Sequence, residues 1–294
     1  MIAFVFPGQG SQQEHMARPW LDHPAARRWE EASELLGWDV AALGIDADAD
    51  DLREPRNCQV ALFVHQVVLL EAWREAGNPE PAAAAGHSLG EYDALVAAGV
   101  LDFPSALQLV DVRARATQAA AEDAPGTMLA LLGFDTTEVE RACADAGAFV
   151  ANDNAPGQIV AAGSAEALER LRELLAEGSG KIRALNVGAA YHSPHMAAAE
   201  APLVDALAAA SFSEATVPVV ANFDAAAHTA ASDWPELLRR QVVSPVRWRE
   251  SVTTLASLGV QEVVELGAAS VLGGLVKRID RSLARRIVSA PKDL

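Results

Sequence analysis

Short apolar runs alternate along the chain with longer stretches of helical periodicity, and this alternation predicts an α/β protein. Residues 2–6 (IAFVF) form a continuous apolar run that Pro7 ends, as expected for a buried parallel strand. Residues 24–36 and 59–76 have the apolar spacing of helices. The second of these is apolar nearly all round and is followed by Gly77, which is typical of a buried helix and its stop signal.

The next predicted strand and helix are joined by a tight turn around one serine. The small residues 82–85 can form a short buried strand, and residues 91–98 carry helix formers with apolar side chains at helical spacing. Ser88 lies between them, flanked by Gly86 and Gly90 in a GxSxG pattern. Such a turn is a nucleophile elbow: it exposes the serine hydroxyl and opens a helix whose first N–H groups can stabilise an oxyanion.

A GxSxG pattern arises by chance in about one chain in ten of this size, so the flanking strand and helix carry the prediction of a catalytic serine. A free hydroxyl is a poor nucleophile at neutral pH, and Ser88 therefore needs a general base. His192 is the best candidate, because it follows an extended segment and is held before Pro194. His195 is the competitor, expected in a first helical turn and exposed. His87 is expected to be structural, pointing to the opposite side of the elbow.

An acidic third member of a serine triad cannot be chosen from the sequence. The candidates all fall in a segment that we assign below to a separate unit: Asp135, Asp145 and Asp153. A backbone carbonyl can orient an imidazole instead.

The loop after the first strand is a second candidate part of the site. Gly8 and Gly10 free the backbone around Gln9, so the Gln9 N–H can approach a reacting oxyanion. A tight turn without a catalytic role explains the same residues equally well.

A long helix predicted over residues 103–120 carries two arginines within an apolar stretch. If Leu109, Val112 and Ala116 mark the apolar face, Arg113 lies beside that face and Arg115 points roughly away from it, given about 100° per residue. We expect one of the two arginines to face inward. The alternative for either side chain is a solvated charge.

The pattern changes after Pro125, where strand-like and helix-like segments follow in the order βαββαβ. This order is typical of a ferredoxin-like unit. We therefore predict that residues 126–188 form a small subdomain inserted into a larger α/β domain made of residues 1–125 and 189–294.

Composition narrows the classes of partner. The 294 residues are 51% hydrophobic, which is enough for a large core, and the formal charge of −17 argues against nucleic acid or an anionic membrane as partner.

Cys58 and Cys143 stand far apart without ligand spacing, and no HExxH pattern occurs, so we expect core thiols and no metal. The N-terminus lacks the basic flank of a signal peptide and no apolar run reaches membrane length, so we expect a cytoplasmic protein.

Several motifs, taken in order, resemble one family: the malonyl-CoA:acyl carrier protein transacylases of fatty acid and polyketide synthesis. They are FPGQGSQ at the start, GHSLGEYxALVAAG at the elbow, an LVxxR helix, NAPGQIVxAG, xHSPxM, and QVVSPVRWxES near the end. The resemblance covers nearly the whole chain. It implies the nucleophile Ser88, the base His192, Arg113 as partner of the substrate carboxylate, the Gln9 and Leu89 backbone N–H groups as oxyanion hole, and the Gln241 main-chain carbonyl orienting the imidazole.

The resemblance also implies a fold and a reaction. The fold is an α/β-hydrolase-like domain interrupted by a ferredoxin-like subdomain, with the active site in the cleft between them. The reaction is ping-pong transfer of a malonyl group from malonyl-CoA to the phosphopantetheine thiol of an acyl carrier protein, with no metal or redox cofactor. An acyl hydrolase that clears stalled acyl groups, a malonyl-carrying subunit of a malonate decarboxylase complex and a catalytically dead binding partner are the alternatives. The intact catalytic set argues against the last.

Departures from the family pattern bear on substrate and partner. Ala268 and Ala269 replace the usual turn residues, the arginine helix ends ARATQ, and Tyr191 stands before the histidine, where bulk favours malonyl over methylmalonyl. The segment KRIDRSLARR (277–286) is locally basic and is a candidate for attracting the carrier or the CoA phosphates. Its alternative is a solvated face of a C-terminal helix.

Overall fold

The computed structural model describes residues 1–294, whose strands form two sheets. The strands are β1 (Ile2–Phe6), β2 (Ala83–Gly86), β3 (Thr127–Leu132), β4 (Phe149–Ala155), β5 (Gln158–Gly163), β6 (Lys181–Ala184), β7 (Val219–Val220), β8 (Ala227–His228), β9 (Glu262–Leu266) and β10 (Ala284–Val288). The helices are α1 (Arg27–Leu36), α2 (Ala41–Ile45), α3 (Pro55–Glu75), α4 (Gly90–Ala97), α5 (Phe103–Asp123), α6 (Thr136–Ala146), α7 (Ala165–Leu174), α8 (Glu200–Ala209), α9 (Trp234–Val243), α10 (Trp248–Ser257) and α11 (Leu272–Ile279). None of these helices is both long and apolar enough to cross a membrane.

The larger sheet has the strand order β10-β9-β1-β2-β7-β8, and all neighbours run parallel except β7 and β8. Its central strands are buried on both faces, as the continuous apolar run in β1 predicted. Phe6 at the end of β1 pairs with Gly86 at the end of β2. The loops that follow these strands, which contain Gln9 and Ser88, therefore lie side by side at the carboxyl edge of the sheet, where open α/β sheets bind their ligands.

The smaller sheet has the order β4-β5-β3-β6 and is antiparallel throughout. With α6 and α7 between its strands, it has the βαββαβ sequence and the pairing of a ferredoxin-like unit. The helices pack against the face that carries Leu129, Leu131 and Ile159. The opposite face, with Met128 and Val160, lines a cavity shared with the larger sheet. The α/β class is thus confirmed, whereas the domain boundaries at 125/126 and 188/189 stay predictions.

Two segments differ from their sequence-based expectations. Helix α3 begins at Pro55, four residues before the predicted start, because the Glu54 side chain accepts a hydrogen bond from the Asn57 N–H and caps the first turn. The basic segment 277–286 is not one helix face. Helix α11 ends at Ile279 and the edge strand β10 begins at Ala284, so the alternative of a solvated C-terminal helix face is wrong.

Candidate active site

Ser88 occupies a strained turn between β2 and α4. Its φ angle is +55°, in the left-handed region that non-glycine residues rarely adopt. The turn is possible because neither flanking residue has a Cβ: one at Gly86 would lie 1.9 Å from the Gly90 carbonyl, and one at Gly90 would lie 2.1 Å from the Phe6 oxygen. The two glycines of the GxSxG pattern therefore let strand, turn and helix pack in contact, which leaves the serine side chain pointing into the cavity.

His192 lies within hydrogen-bond distance of the serine. Its Nε2 is 2.7 Å from Ser88 Oγ, and its Nδ1 is 2.9 Å from the main-chain oxygen of Gln241. Since a carbonyl only accepts, Nδ1 carries the ring proton and the bare Nε2 accepts the serine O–H. Burial, reinforced by the charge of Arg113, lowers the pKa of His192 to about 3, so the imidazole is neutral in the resting protein.

Arg113 reaches the same point from α5. Its Nη2 donates to Ser88 Oγ at 2.9 Å and to Gln241 Oε1 at 3.2 Å, and its Nη1 donates to Gln59 Oε1. All of these hydrogen-bond partners are neutral, so no carboxylate of the chain is hydrogen-bonded to the buried guanidinium, and Glu91 acts on it only through its charge. Desolvation lowers the pKa of Arg113. By contrast, the Arg115 side chain is 58% exposed and pairs with Asp111, so the inward-facing arginine is Arg113, as the helical spacing predicted.

Two backbone N–H groups beside the serine are free. Gln9 and Leu89 both line the cavity, and neither amide is hydrogen-bonded within the chain. The positive φ of +101° at Gly10 and the close approach of Gly8 to the His87 backbone shape the loop that presents Gln9. The assignment of these two donors to an oxyanion hole stays a prediction.

The other candidate side chains make no hydrogen bond to Ser88, although His87 lines the same cavity. His195 is half-buried in the 3-10 helix Pro194–Ala199 and faces the Ala124 carbonyl, away from the serine. His87 holds Asn154 of the smaller sheet through Nε2 at 2.8 Å. Two of the aspartates have structural partners: Asp135 caps α6, and Asp153 pairs with Arg249. Asp145 is an exposed residue of α6.

A cavity of about 330 Å³ holds the catalytic pair, between the two sheets. One wall carries the polar set around Ser88, and the other is mostly apolar and comes from the smaller sheet and the start of α11. Tyr191 lines it beside His192, and burial raises the pKa of the Tyr191 phenol, so the group is a neutral bulky wall. The loop with Ala268 and Ala269 leads into α11, whose first N–H groups bind the buried Glu265 carboxylate. No group of three or more His, Cys, Asp or Glu side chains is placed to hold a metal ion.

Sequence reasoning missed two polar residues behind the serine. Asn222, in the turn after β7, binds the Ser88 N–H through Oδ1 at 2.6 Å. Glu91, in the first turn of α4, is 1% exposed and accepts hydrogen bonds from Asn222 and Gln241. An acidic residue directly after the GxSxG pattern was a signal for Glu91, although Asp93 two residues later shares it. Nothing local distinguished Asn222.

Comparison with known proteins places this site in a family. The model of the acyl transferase domain family matches residues 3–290. The malonyl CoA-acyl carrier protein transacylase of Escherichia coli (strain K12) is 40% identical over 297 residues, covering 99% of this chain and 96% of that protein. The chain belongs to the malonyl CoA-acyl carrier protein transacylase family.

Solved structures agree with this family membership. The acyl-carrier-protein S-malonyltransferase of Burkholderia pseudomallei 1710b is 39% identical, with a TM-score of 0.96 over 99% of this chain and 97% of that one. A chain of a type II PKS acyl-carrier protein in complex with its malonyl-transacylase is 36% identical, with a TM-score of 0.95 over 99% of this chain and 97% of that one. The transacylase fold is therefore shared over its full length.

Proposed function

We propose that this chain transfers a malonyl group from malonyl-CoA to the phosphopantetheine thiol of an acyl carrier protein, in fatty acid or polyketide synthesis. The observation that carries the proposal is the placement of Arg113. A buried cation whose partners are all neutral touches the nucleophile of a Ser–His pair, so the site is built for an acyl group that brings its own negative charge. The family relatives, which are named for malonyl transfer to acyl carrier protein, support the same assignment.

The first half of the reaction loads the enzyme. His192 Nε2 takes the Ser88 proton while Oγ attacks the thioester carbonyl carbon, and the carbonyl oxygen becomes an oxyanion facing the Gln9 and Leu89 N–H groups. The Gln241 carbonyl stabilises the imidazolium through Nδ1–H. When the tetrahedral intermediate collapses, the C–S bond breaks and the imidazolium gives its proton to the departing sulfur. The products are malonyl-Ser88 and free CoA.

The second half runs the same steps in reverse with a different thiol. His192 takes the proton of the carrier's phosphopantetheine thiol, and the sulfur attacks the ester carbonyl of malonyl-Ser88. The C–O bond to Oγ then breaks, and His192 returns the proton to the serine. The same Ser88–His192 dyad serves both halves. Transfer and hydrolysis therefore differ in the acceptor that attacks malonyl-Ser88, which is a thiol that reaches into the cavity in the first case and water in the second.

Intact-mass measurement tests this proposal. The protein incubated with malonyl-CoA should gain a malonyl adduct that moves to holo carrier protein when that is added. Ser88→Ala should carry no adduct, and His192→Ala should load more slowly by about 10² to 10⁴, the usual range for general base catalysis. A malonyl adduct surviving in Ser88→Ala refutes the nucleophile, and malonate released without carrier loading favours the acyl hydrolase.

Two further parts of the proposal need separate measurements. The reaction as written uses no cofactor, so transfer should survive dialysis against a chelator. A cytoplasmic location is proposed as well, and fractionation of the source cells tests it.

A further inference from the structure

We propose that Glu91 is a positioning residue of this site: its carboxylate fixes Asn222 and Gln241, which in turn fix Ser88 and His192. The inference rests on the proposed function for its chemistry, but its geometry concerns the nucleophile and base alone. No step of the proposed reaction uses Glu91 itself.

The Glu91 carboxylate joins three segments that are distant in sequence. Its Oε1 accepts the backbone N–H of Asn222 at 2.8 Å, and its Oε2 accepts the side-chain amide of Gln241 at 2.5 Å. Glu91 lies in α4, Asn222 follows β7 and Gln241 lies in α9. The carboxylate therefore acts as a shared acceptor for two donors from distant segments.

Asn222 links the Glu91 carboxylate to the turn that carries Ser88. Its side-chain oxygen accepts the Ser88 N–H at 2.6 Å, and its side-chain nitrogen donates to the Gly86 carbonyl at 2.6 Å. One amide thus spans the elbow on both sides of its strained residue. A left-handed backbone at a non-glycine residue persists only where its surroundings determine it. Because Asn222 occupies the Ser88 N–H, the next amide along, that of Leu89, is the free donor.

Gln241 links the Glu91 carboxylate to His192. Its side-chain nitrogen donates to the Ser88 carbonyl at 2.8 Å as well as to Glu91, and its main-chain oxygen holds His192 Nδ1. Fixing this side chain therefore fixes the carbonyl that sets the tautomer and the plane of the imidazole. Arg113 makes no hydrogen bond to Glu91, so its guanidinium N–H groups are not occupied by this carboxylate.

The test compares Glu91→Gln with a matched control on the same helix. A glutamine has the same shape but only one acceptor oxygen, so its NH₂ group must face a donor, either the Asn222 N–H or the Gln241 amide. Asp93→Asn is the control. Asp93 is also fully buried, yet neither of its oxygens has a hydrogen-bond partner, so its replacement breaks no contact.

Two rates are measured for each variant. The first is single-turnover acylation by malonyl-CoA, for which Glu91→Gln should lose about 10- to 100-fold in the maximal rate, with half-saturation within about threefold of wild type. The second is inactivation by phenylmethanesulfonyl fluoride, a neutral reagent that reacts with activated serines, and it should slow by a similar factor. Asp93→Asn should retain both rates.

The second readout separates two kinds of failure. If wild type does not accept malonyl, the proposed function fails, but sulfonyl fluoride inactivation still reports on Ser88 and His192. If Glu91→Gln inactivates at the wild-type rate, if only its half-saturation rises, or if both variants lose equally, the positioning role is overturned.

A further variant decides the matter if Glu91→Gln does not fold. Gln241→Met keeps the main-chain carbonyl and removes only the side-chain contacts to Glu91, Ser88 and Arg113. It should slow sulfonyl fluoride inactivation about 10- to 100-fold. An unchanged inactivation rate would show that the Gln241 main-chain carbonyl positions His192 without the side-chain hydrogen bonds, and the positioning role would be overturned.

Discussion

Arg113 donates a hydrogen bond from Nη2 to Oγ of Ser88 across 2.9 Å, so the buried cation touches the proposed nucleophile. In a malonyl thioester, the carboxylate carbon lies only two bonds from the carbonyl carbon that serine attacks. A guanidinium in contact with the nucleophile is therefore placed to bind the carboxylate of a short diacid through parallel hydrogen bonds. An acetyl group has no carboxylate that the guanidinium can bind. We therefore expect the position of the Arg113 side chain to set the selectivity for malonyl over acetyl.

The first prediction concerns this selectivity. Leaving one member of a buried ion pair unpaired costs about 3 to 5 kcal/mol, so Arg113→Ala should load malonyl roughly 10²- to 10³-fold more slowly. Acetyl loading should change far less, because it never used the cation. Acyl-enzyme formation from both CoA esters, followed by mass, gives the ratio. Arg115→Ala, which removes an exposed arginine from the same helix, is the control and should keep the wild-type ratio. An unchanged ratio in Arg113→Ala would remove the carboxylate-binding role.

The second prediction concerns the elbow. A methyl group at Gly86 would lie 1.9 Å from the Gly90 backbone, which no side-chain motion can relieve. Gly86→Ala should therefore unfold the protein or destabilise it by more than about 4 kcal/mol, measured by urea denaturation. Gly274→Ala is the matched control. A Cβ there meets nothing within 4 Å, and in α11 alanine should stabilise by about 0.5 to 1 kcal/mol. A Gly86→Ala protein with the wild-type urea midpoint would show that strand and helix need not touch.

The third prediction concerns the carrier protein. Helix α11 lines the cavity at its start, and near its end Arg278 binds Gln158, another cavity residue, at 2.5 Å. Within the basic segment 277–286, Arg281 and Arg285 are exposed. Against a chain charge of −17, these arginines supply local attraction for an acidic partner. Reversing both to glutamate should raise the KM for carrier and weaken its dependence on salt.

The control for that prediction carries the same change of charge elsewhere. Arg141 and Arg172 lie on α6 and α7, which cover the face of the smaller sheet opposite the cavity. Reversing this pair should leave the KM for carrier at its wild-type value. Equal effects of both double variants would mean that net charge, not the basic segment, governs carrier binding.

The fourth prediction concerns acid stability. His65 is fully buried in α3, neither ring nitrogen has a partner, and burial lowers its pKa to about 3. The unfolded chain binds a proton at this residue below about pH 6.5, whereas the folded protein does not. The free energy of unfolding should therefore fall as the pH drops through 6.5, and His65 accounts for about 2 kcal/mol of that loss between pH 7 and pH 5.

Urea denaturation of His65→Leu at several pH values measures this contribution. The variant should lose less stability than wild type over the same interval, by about 2 kcal/mol. Parallel curves for the two proteins would mean that His65 gains its proton in the folded state.

Much of this site could be predicted from the sequence because its signals are local. Glycines two residues either side of Ser88, between a strand and a helix, specify the elbow through backbone sterics alone. Helical geometry likewise separated Arg113 from Arg115, since side chains two positions apart in a helix point about 200° apart around its axis. The order βαββαβ needed only the periodicity of each segment and its turns.

Other features depend on contacts between distant parts of the chain. Asn222 and Glu91 are 131 residues apart, and Gln241 and Glu91 are 150 apart, so no window of sequence contains either pair. The choice of His192 over His195 was favoured by chain position, but only packing brought its Nε2 to the serine. The basic segment lies partly in helix α11 and partly in strand β10. The strand part could not be read from the segment itself, because β10 forms its hydrogen bonds with β9. The sequence by itself determined the class, the elbow and the inward arginine, where each residue's neighbours in the chain set its conformation. Tertiary structure alone decided how the nucleophile is braced, because hydrogen bonds between buried side chains exist only once the segments that carry them have packed together.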